Sequence, residues 1–190
     1  MEAFIETSYL NAYGSYIGRH YPTLMSVQDE AGEIYAVVGF RLAGDEPLFL
    51  EQYLDGPVEA ILSDAVSTTV TRLEIVEIGN LASNGRGATI FLFAAMARHL
   101  MTLGANFAVA TATEELRGVF SKAGLGAMRL ATADPERLFD HGVSWGGYYQ
   151  TRPAVLAGSI QAAAAPLTRF AETAPTARAV RTRLHFRSEP

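Results

Sequence analysis

Glu77 lies inside an otherwise apolar run, Leu73 to Leu81 (LEIVEIGNL), whose length and β-branched content are those of a strand. A carboxylate in such a run costs free energy unless it is paired, hydrogen-bonded or protonated. Burial raises its pKa toward neutrality, where a carboxylate works as a general base. Strand alternation offers a plainer alternative: Glu74 and Glu77 fall on opposite faces, so one of them is simply solvated. Next, Ser83-Asn84-Gly85-Arg86-Gly87 breaks the pattern before an apolar run of helical length, Ala88 to Leu103. A glycine-bearing turn at a helix N-terminus aims several backbone N–H groups and the positive end of the dipole at one spot, which suits phosphate. Any strand–turn–helix unit also needs a tight turn, so Gly85-x-Gly87 alone does not define a phosphate site. The turn lacks the third glycine of a dinucleotide fingerprint and the Lys-Ser/Thr pair of a P-loop, which argues against a Rossmann oxidoreductase and an NTPase.

The elements that position these residues follow from hydrophobic spacing. Gly104 suits the residue after a helix, and Ala105 to Ala112 suits a buried strand. Upstream, Tyr9, Tyr13, Tyr16, Ile17 and His20 recur at helical intervals, predicting a helix over Tyr9–Tyr21 closed by Pro22. Leu24 to Gln28 and Glu33 to Leu42 read as two strands around a polar turn. Leu48 to Leu54 is a compact segment, extended or helical, and Pro57 opens a short helix. Downstream, Thr113 caps a helix with an apolar stripe of Leu116, Val119, Phe120 and Ala123, ended by Gly124. Leu125 to Ala131 is a strand, Pro135 to Asp140 a short helix, and His141 to Tyr149 a glycine-interrupted strand holding the one tryptophan. Pro153 to Ile160 is expected at the edge of the fold. The pattern predicts a single α/β (α+β) domain over 1–160 and an Ala-rich, basic C-terminal tail over 161–190.

Composition narrows the classes. The chain has 190 residues, 49% of them hydrophobic, and no cysteine, so it builds one core without disulfides or thiolate chemistry. The four histidines show no ligand spacing, and no metal is expected. Residues 1–150 carry nine basic and eighteen acidic groups, while 151–190 carry six and two. An acidic body argues against nucleic acid as the partner. The longest apolar run, Ile90 to Ala97, is too short to span a bilayer, so no stable membrane insertion is expected. The acidic start MEAFIETSYL does not read as a secretion signal, and the expected location is the cytoplasm.

The order of elements around Gly85-x-Gly87-Ala88 resembles the GNAT-type N-acyltransferase fold, a mixed central sheet with helices on both faces. That superfamily has Gln/Arg-x-x-Gly-x-Gly/Ala at this turn; here the Gln/Arg position is Ala82, so the match is partial. The segment LRGVFSKAGL (116–125) is similar to the helix and turn that follow the fifth strand in those enzymes. Five blocks resemble the thermostable hemolysin family: LFLEQYLDGPVE (48–59), RLEIVEIGNLAS (72–83), TATEELRGVFSKAGL (111–125), LATADPERL (130–138) and WGGYYQTRPAVLAG (145–158). Its sequences look like a GNAT-type branch related to acyl-homoserine-lactone synthases. Glu77 matches the strand acid of those synthases, but Asn80 stands where their motif has Arg, which argues against an adenosylmethionine substrate.

The resemblance implies acyl transfer from a coenzyme A or acyl-carrier-protein thioester to the amine of a small molecule. Glu77 would then free the amine lone pair, directly or through a water. A backbone N–H near Gly79, Asn80 and Leu81 would stabilise the oxyanion, and Tyr148 or Tyr149 would protonate the leaving thiolate. Asn84, Gly85, Arg86, Gly87 and Ala88 would hold the pyrophosphate, with Arg86 adding a charge-assisted contact. Arg41, Glu51, Tyr53 and Trp145 would line the acceptor or acyl pocket; core packing is the competing role for the aromatics. Two other readings stay open: a membrane-active hemolysin, against which the sequence offers neither a barrel pattern nor a basic amphipathic helix, and a GNAT-like fold that binds an acyl ligand or a partner without turnover.

Overall fold

The computed structural model describes residues 1–85, 87–173 and 180–186. In chain order the elements are α1 (Glu2–Tyr13), β1 (Thr23–Asp29), β2 (Ile34–Leu42), a 3-10 turn (Phe49–Tyr53), α2 (Val58–Val66), β3 (Ile75–Ser83) and α3 (Ala88–Thr102). Then come β4 (Phe107–Ala112), α4 (Glu114–Lys122), β5 (Met128–Thr132), 3-10 turns at Val143–Trp145 and Tyr148–Thr151, β6 (Ala154–Ser159), α5 (Ile160–Thr173) and β7 (Val180–Phe186). The strands form one sheet in the order β5-β6-β4-β3-β2-β1-β7. The β3–β4 pair is parallel and the others are antiparallel.

Alternation along the strands sends neighbours to opposite layers, so helices cover both faces. Val38 and Val76 pack with Leu92 and Met96 of α3 and Leu167 of α5. Val37 packs with Ile5 of α1, and Ile75 with Leu62 of α2. This is the expected mixed α/β architecture. Local chemistry sets several boundaries. Thr113 Oγ1 accepts the N–H of Leu116 and starts α4, a cap that contributes about 1 kcal/mol. Leu103 ends α3, and Gly104 follows in the left-handed region at φ 79°.

Four expectations need correction. The N-terminal helix starts at Glu2 and stops at Tyr13, because Gly14 takes a left-handed cap (φ 66°) and its N–H bonds Leu10 O at 2.9 Å. Tyr16 to Tyr21 is therefore not helical. His141 to Tyr149 is not a strand: Gly142 and Gly146 have positive φ, and the N–H of Gly147 bonds Tyr13 O at 2.7 Å. That bond ties the segment to the end of α1. Pro153 to Ile160 does not lie at an edge; β6 is inserted between β4 and β5, with Ala154 to Ala157 buried. Finally, the segment after residue 160 continues the same body. Ile160, Leu167 and Ala171 of α5 join the core beside α3, and β7 pairs along the whole of β1. The buried residues of α5 are thus Ile160, Leu167 and Ala171, and the Ala-rich composition belongs to a helix of the body.

Candidate active site

The site is built where β3 and β4 separate. Their ladder runs from Ile75↔Phe107 to Ile78↔Ala110, the last pair. On its other side β3 pairs with β2 from Val76 onward and bulges beyond the split: Val37 faces Ala82 and Gly39 faces Gly79, so Asn80 and Leu81 oppose Val38 alone. Asn80 takes φ 49°, one of the few left-handed non-glycine residues, and its Oδ1 accepts the N–H of Tyr21 at 2.9 Å. Asn tolerates this conformation better than bulkier residues do. The wedge opens into a channel of about 180 Å³. At the wedge it is lined by Tyr9, Tyr13, Gly79, Leu81, Thr111 and Tyr148. Farther in, apolar side chains of α3, α4 and α5 take over.

Glu77 is only 1% exposed. Oε1 accepts the N–H of Leu50 and Oε2 that of Phe49, both at 2.9 Å, and Arg41 Nε lies 3.3 Å from Oε2. Burial pushes its carboxyl above the usual range; the Leu50 N–H, Arg41, the Phe49 N–H and the Tyr21 hydroxyl each oppose that rise. The Arg41 guanidinium carbon stacks 4.1 Å above the Tyr21 ring, and Arg41 also reaches Glu46 at 3.2 Å. The Tyr21 hydroxyl and ring occupy the place where a side chain at Gly79 would stand: a Cβ there would lie 2.5 Å from Tyr21 Oη. Glu77, Tyr21, Gly79 and the wedge are thus contiguous, with Glu77 behind the channel wall.

The remaining residues singled out by the sequence divide into three groups. Tyr148 joins the wedge, where its hydroxyl donates to Thr111 O at 3.3 Å. Burial pushes that hydroxyl well above the usual tyrosine range. Tyr149 turns away to share a hydrogen bond of 2.5 Å with Tyr53, which is itself buried. Trp145 stacks against Phe49, Tyr148 and Tyr149 and joins the two groups into one aromatic wall. Glu51 stands apart: it accepts the N–H groups of Leu48 and Val58 and pairs with Arg72 at 2.6 Å, fixing the loop rather than facing the wedge.

At the helix end of β3, the Asn84 N–H bonds Tyr35 O at 3.0 Å, and Gly85 (φ 85°) donates to Ser83 Oγ at 3.1 Å. Gly87 (φ 75°) is the N-cap of α3, and Ala88 begins the helix, fully buried. The Ala88 N–H bonds Gly85 O at 3.1 Å and the Phe91 N–H bonds Gly87 O at 3.4 Å, which closes the turn into the first turn of α3. Arg86 lies outside the described residues. Spacing alone missed Tyr9, Tyr13, Tyr21 and Thr111. The tyrosines read only as the periodic residues of a helix, and Thr111 had no signal beyond its place at a strand end. Thr111 Oγ1 is buried without a hydrogen-bond partner among the described residues.

Among the described residues no helix is long and apolar enough to cross a membrane, and no group of three or more His, Cys, Asp or Glu is arranged to hold a metal ion. A sheet that splays after its one parallel pair, with a glycine turn leading into the helix beside the split, defines a GNAT-like acyltransferase fold. The thermostable hemolysin family model matches residues 1–164, and the chain belongs to that family. No curated protein matches the chain by sequence. Among solved structures it is similar to FeeM, an N-acyl amino acid synthase from uncultured soil microbes. The match has TM-score 0.59 and 11% identity over 86% of this chain and 91% of that one. It is also similar to MesI, a CoA-dependent acyl-homoserine lactone synthase (TM-score 0.53, 13% identity, 88% and 85% covered). A third likeness is to BjaI, a CoA-dependent acyl-homoserine lactone synthase with SAM and isopentyl-CoA bound (TM-score 0.51, 15% identity, 78% and 64% covered). At these identities the likeness establishes the fold.

Proposed function

We propose that this chain is an N-acyltransferase that moves an acyl group from a thioester donor to the amine of a small molecule. The observation that carries this reading is the wedge: two parallel strands part after Ile78 and Ala110, and the gap leads into an apolar channel walled by α3, α4 and α5. Parted strands leave backbone N–H and C=O groups to pair with an extended, amide-bearing arm such as that of coenzyme A or an acyl carrier protein. The Gly85-to-Ala88 turn, with Arg86, receives the pyrophosphate of the coenzyme. That FeeM, MesI and BjaI are synthases of acylated products supports the reading.

In the step itself the amine nitrogen attacks the thioester carbonyl carbon, the C–N bond forms and the C–S bond breaks. The carbonyl oxygen takes its negative charge at the bulge, near the N–H groups of Gly79 to Leu81. One amine proton passes to Glu77 by way of the Tyr21 hydroxyl, since the carboxylate is walled off and Tyr21 stands between it and Gly79. Tyr148 protonates the leaving thiolate and regains its proton from solvent, and Glu77 releases the amine proton to solvent by way of Tyr21 once the products leave. The acceptor sits against Tyr9, Tyr13 and Trp145. Acyl donors of this kind are made in the cytoplasm, where we place the reaction.

Calorimetric titration with coenzyme A and acetyl-CoA, followed by thiol-release assays over a panel of primary amines, tests this. Saturable binding with amine-dependent thiol release is the expected result. Binding without release over the whole panel would convert the reading to a silent acyl-ligand binder. If coenzyme A fails to bind while an acyl-carrier protein does, the donor is the carrier.

A further inference from the structure

The inner part of the channel is more than a passage for the donor arm. β4 lies in the middle of the sheet, between β3 and β6, where a strand covered on both faces is expected to be fully buried. Only Val109 and Ala112 of β4 are buried, while Ala108, which packs against the α3 layer, and Ala110 stay partly exposed and line the channel. α4 shows the same deficit. Its apolar stripe turns Leu116 and Phe120 toward the core, yet none of its residues is buried. An amphipathic helix and a central strand that both stop short of burial enclose a space that apolar matter is missing from. Of the polar groups of the channel, Tyr9, Tyr13, Thr111, Thr113 and Tyr148 gather at the wedge, while the hydroxyl of Ser159, at the other end, is occupied by the Ala162 N–H at 3.2 Å. At the other end, beside Ala108 and Gly158, the walls are Leu100 of α3, Leu125, and Ala163 and Leu167 of α5. From Thr111 back to Ala108 the channel follows β4 for ~10 Å, three strand rises.

We propose that this space takes the hydrocarbon tail of a medium-chain acyl donor, and that α5 is the wall that sets its length, with Ala163 and Leu167 at the stop. The proposal rests on the acyl-transfer reading for what lies at the polar end, but its physical basis is the unfilled apolar volume. An acetyl group would leave the volume empty. A tail that reaches α5 completes the burial of Ala108, Ala110, Leu116 and Phe120. The segment α5 belongs to the part of the chain that sequence composition marked as a loose tail, so this role was invisible before the fold was known.

The test is titration of the full chain with acetyl-, butyryl-, hexanoyl-, octanoyl- and palmitoyl-CoA, together with fluorescence titration with cis-parinaric acid, an apolar probe that carries no thioester. Affinity is expected to rise about fourfold for each methylene that enters the channel, and to stop rising beyond the length that reaches α5. Ala163→Trp is expected to abolish that rise and leave acetyl-CoA affinity unchanged; Ala163→Leu, a milder change, is expected to shorten the optimum if the tryptophan does not fold. Equal affinity for acetyl- and octanoyl-CoA, with no parinaric acid bound, would overturn the channel and leave the transferase reading standing. Parinaric acid bound and displaced by octanoate, with no thioester bound, would retain the channel and overturn the coenzyme A donor. A rise with chain length that Ala163→Trp and Ala163→Leu both leave untouched would overturn the role of α5.

Discussion

Glu77 Oε1 accepts the backbone N–H of Leu50 at 2.9 Å, tying the middle of β3 to the start of the Phe49–Tyr53 turn. Its other oxygen does the same for Phe49. The carboxylate therefore anchors the loop that carries the aromatic wall, besides any part it takes in proton transfer. Glu77→Gln separates the two roles. The amide offers one acceptor oxygen, and its NH2 faces an N–H that then loses its partner, a loss of about 1–3 kcal/mol. In a chain of this size that lowers Tm by roughly 2–10 °C. Turnover is expected to fall about a hundredfold or more, while the donor Kd stays within about threefold. Thermal melts, thiol release and calorimetry on one preparation check all three. A variant that melts lower but turns over normally would make Glu77 an anchor alone.

Gly79→Ala tests the contact behind the wedge. The new Cβ would meet the Tyr21 ring and hydroxyl, so either the ring or the bulge must shift. Overpacking of this kind costs about 1–3 kcal/mol. Tyr21→Phe removes the hydroxyl and keeps the ring, and leaves the Tyr21 N–H to Asn80 Oδ1 in place. Its expected signature is a lower kcat with a stability loss of only about 1–2 kcal/mol, that of the one hydrogen bond to Glu77. A Tyr21→Phe variant with full kcat would remove Tyr21 from the proton path and leave it as packing.

How far the sequence reveals this site depends on whether the controlling contact is local. Thr113 capping α4, Gly87 at the start of α3 and the acid within β3 are legible because each acts within a few residues. Gly146 is different: its glycine is required because Tyr13 O, far away in sequence, lies where a Cβ would stand. Read locally, Trp145 and its neighbours look like a strand, and nothing in their spacing predicts that Gly147 will bond to α1. The insertion of β6 between β4 and β5 is a matter of topology, which alternation cannot reveal. Tyr21 reads as the end of a helix, yet it lies over Gly79 and donates its backbone N–H to Asn80 Oδ1. The acid was legible; its screening from the channel was not.

Glu51 and Arg72 give a pH prediction with a definite sign. Burial alone would raise the Glu51 carboxyl, but the Arg72 bond, with the N–H groups of Leu48 and Val58, outweighs it and holds the group below its usual range. In the unfolded chain Glu51 titrates at about 4.3. As pH falls, the unfolded chain takes up its proton first, so the stability Glu51 contributes is complete above that value and is lost as pH drops through the lower folded pKa. Glu51→Gln is expected to flatten the acid limb of the stability curve and to cost about 1–2 kcal/mol at neutral pH. Urea unfolding at a series of acid pH values reads both. Equal acid limbs in wild type and variant would show that Glu51 does not control this loop.

Tyr148 and Tyr149 are adjacent, yet the structure separates their fates, and substitution can expose the difference. Tyr148 reaches the wedge and donates to Thr111 O at 3.3 Å, longer than an optimal bond and free to shorten toward a thiolate. Tyr149 shares its bond with Tyr53 at 2.5 Å, inside the wall. Tyr148→Phe is therefore expected to lower kcat by about a hundredfold for alkyl thioesters, whose leaving group needs the proton. For an aryl thioester, whose thiolate leaves without help, the loss should shrink. Tyr149→Phe is expected to leave both rates within about twofold while lowering stability by about 1 kcal/mol through the bond lost to Tyr53. The leaving-group dependence is the deciding readout, because a Tyr148 that only packs against Trp145 and Tyr13 would slow both thioesters alike.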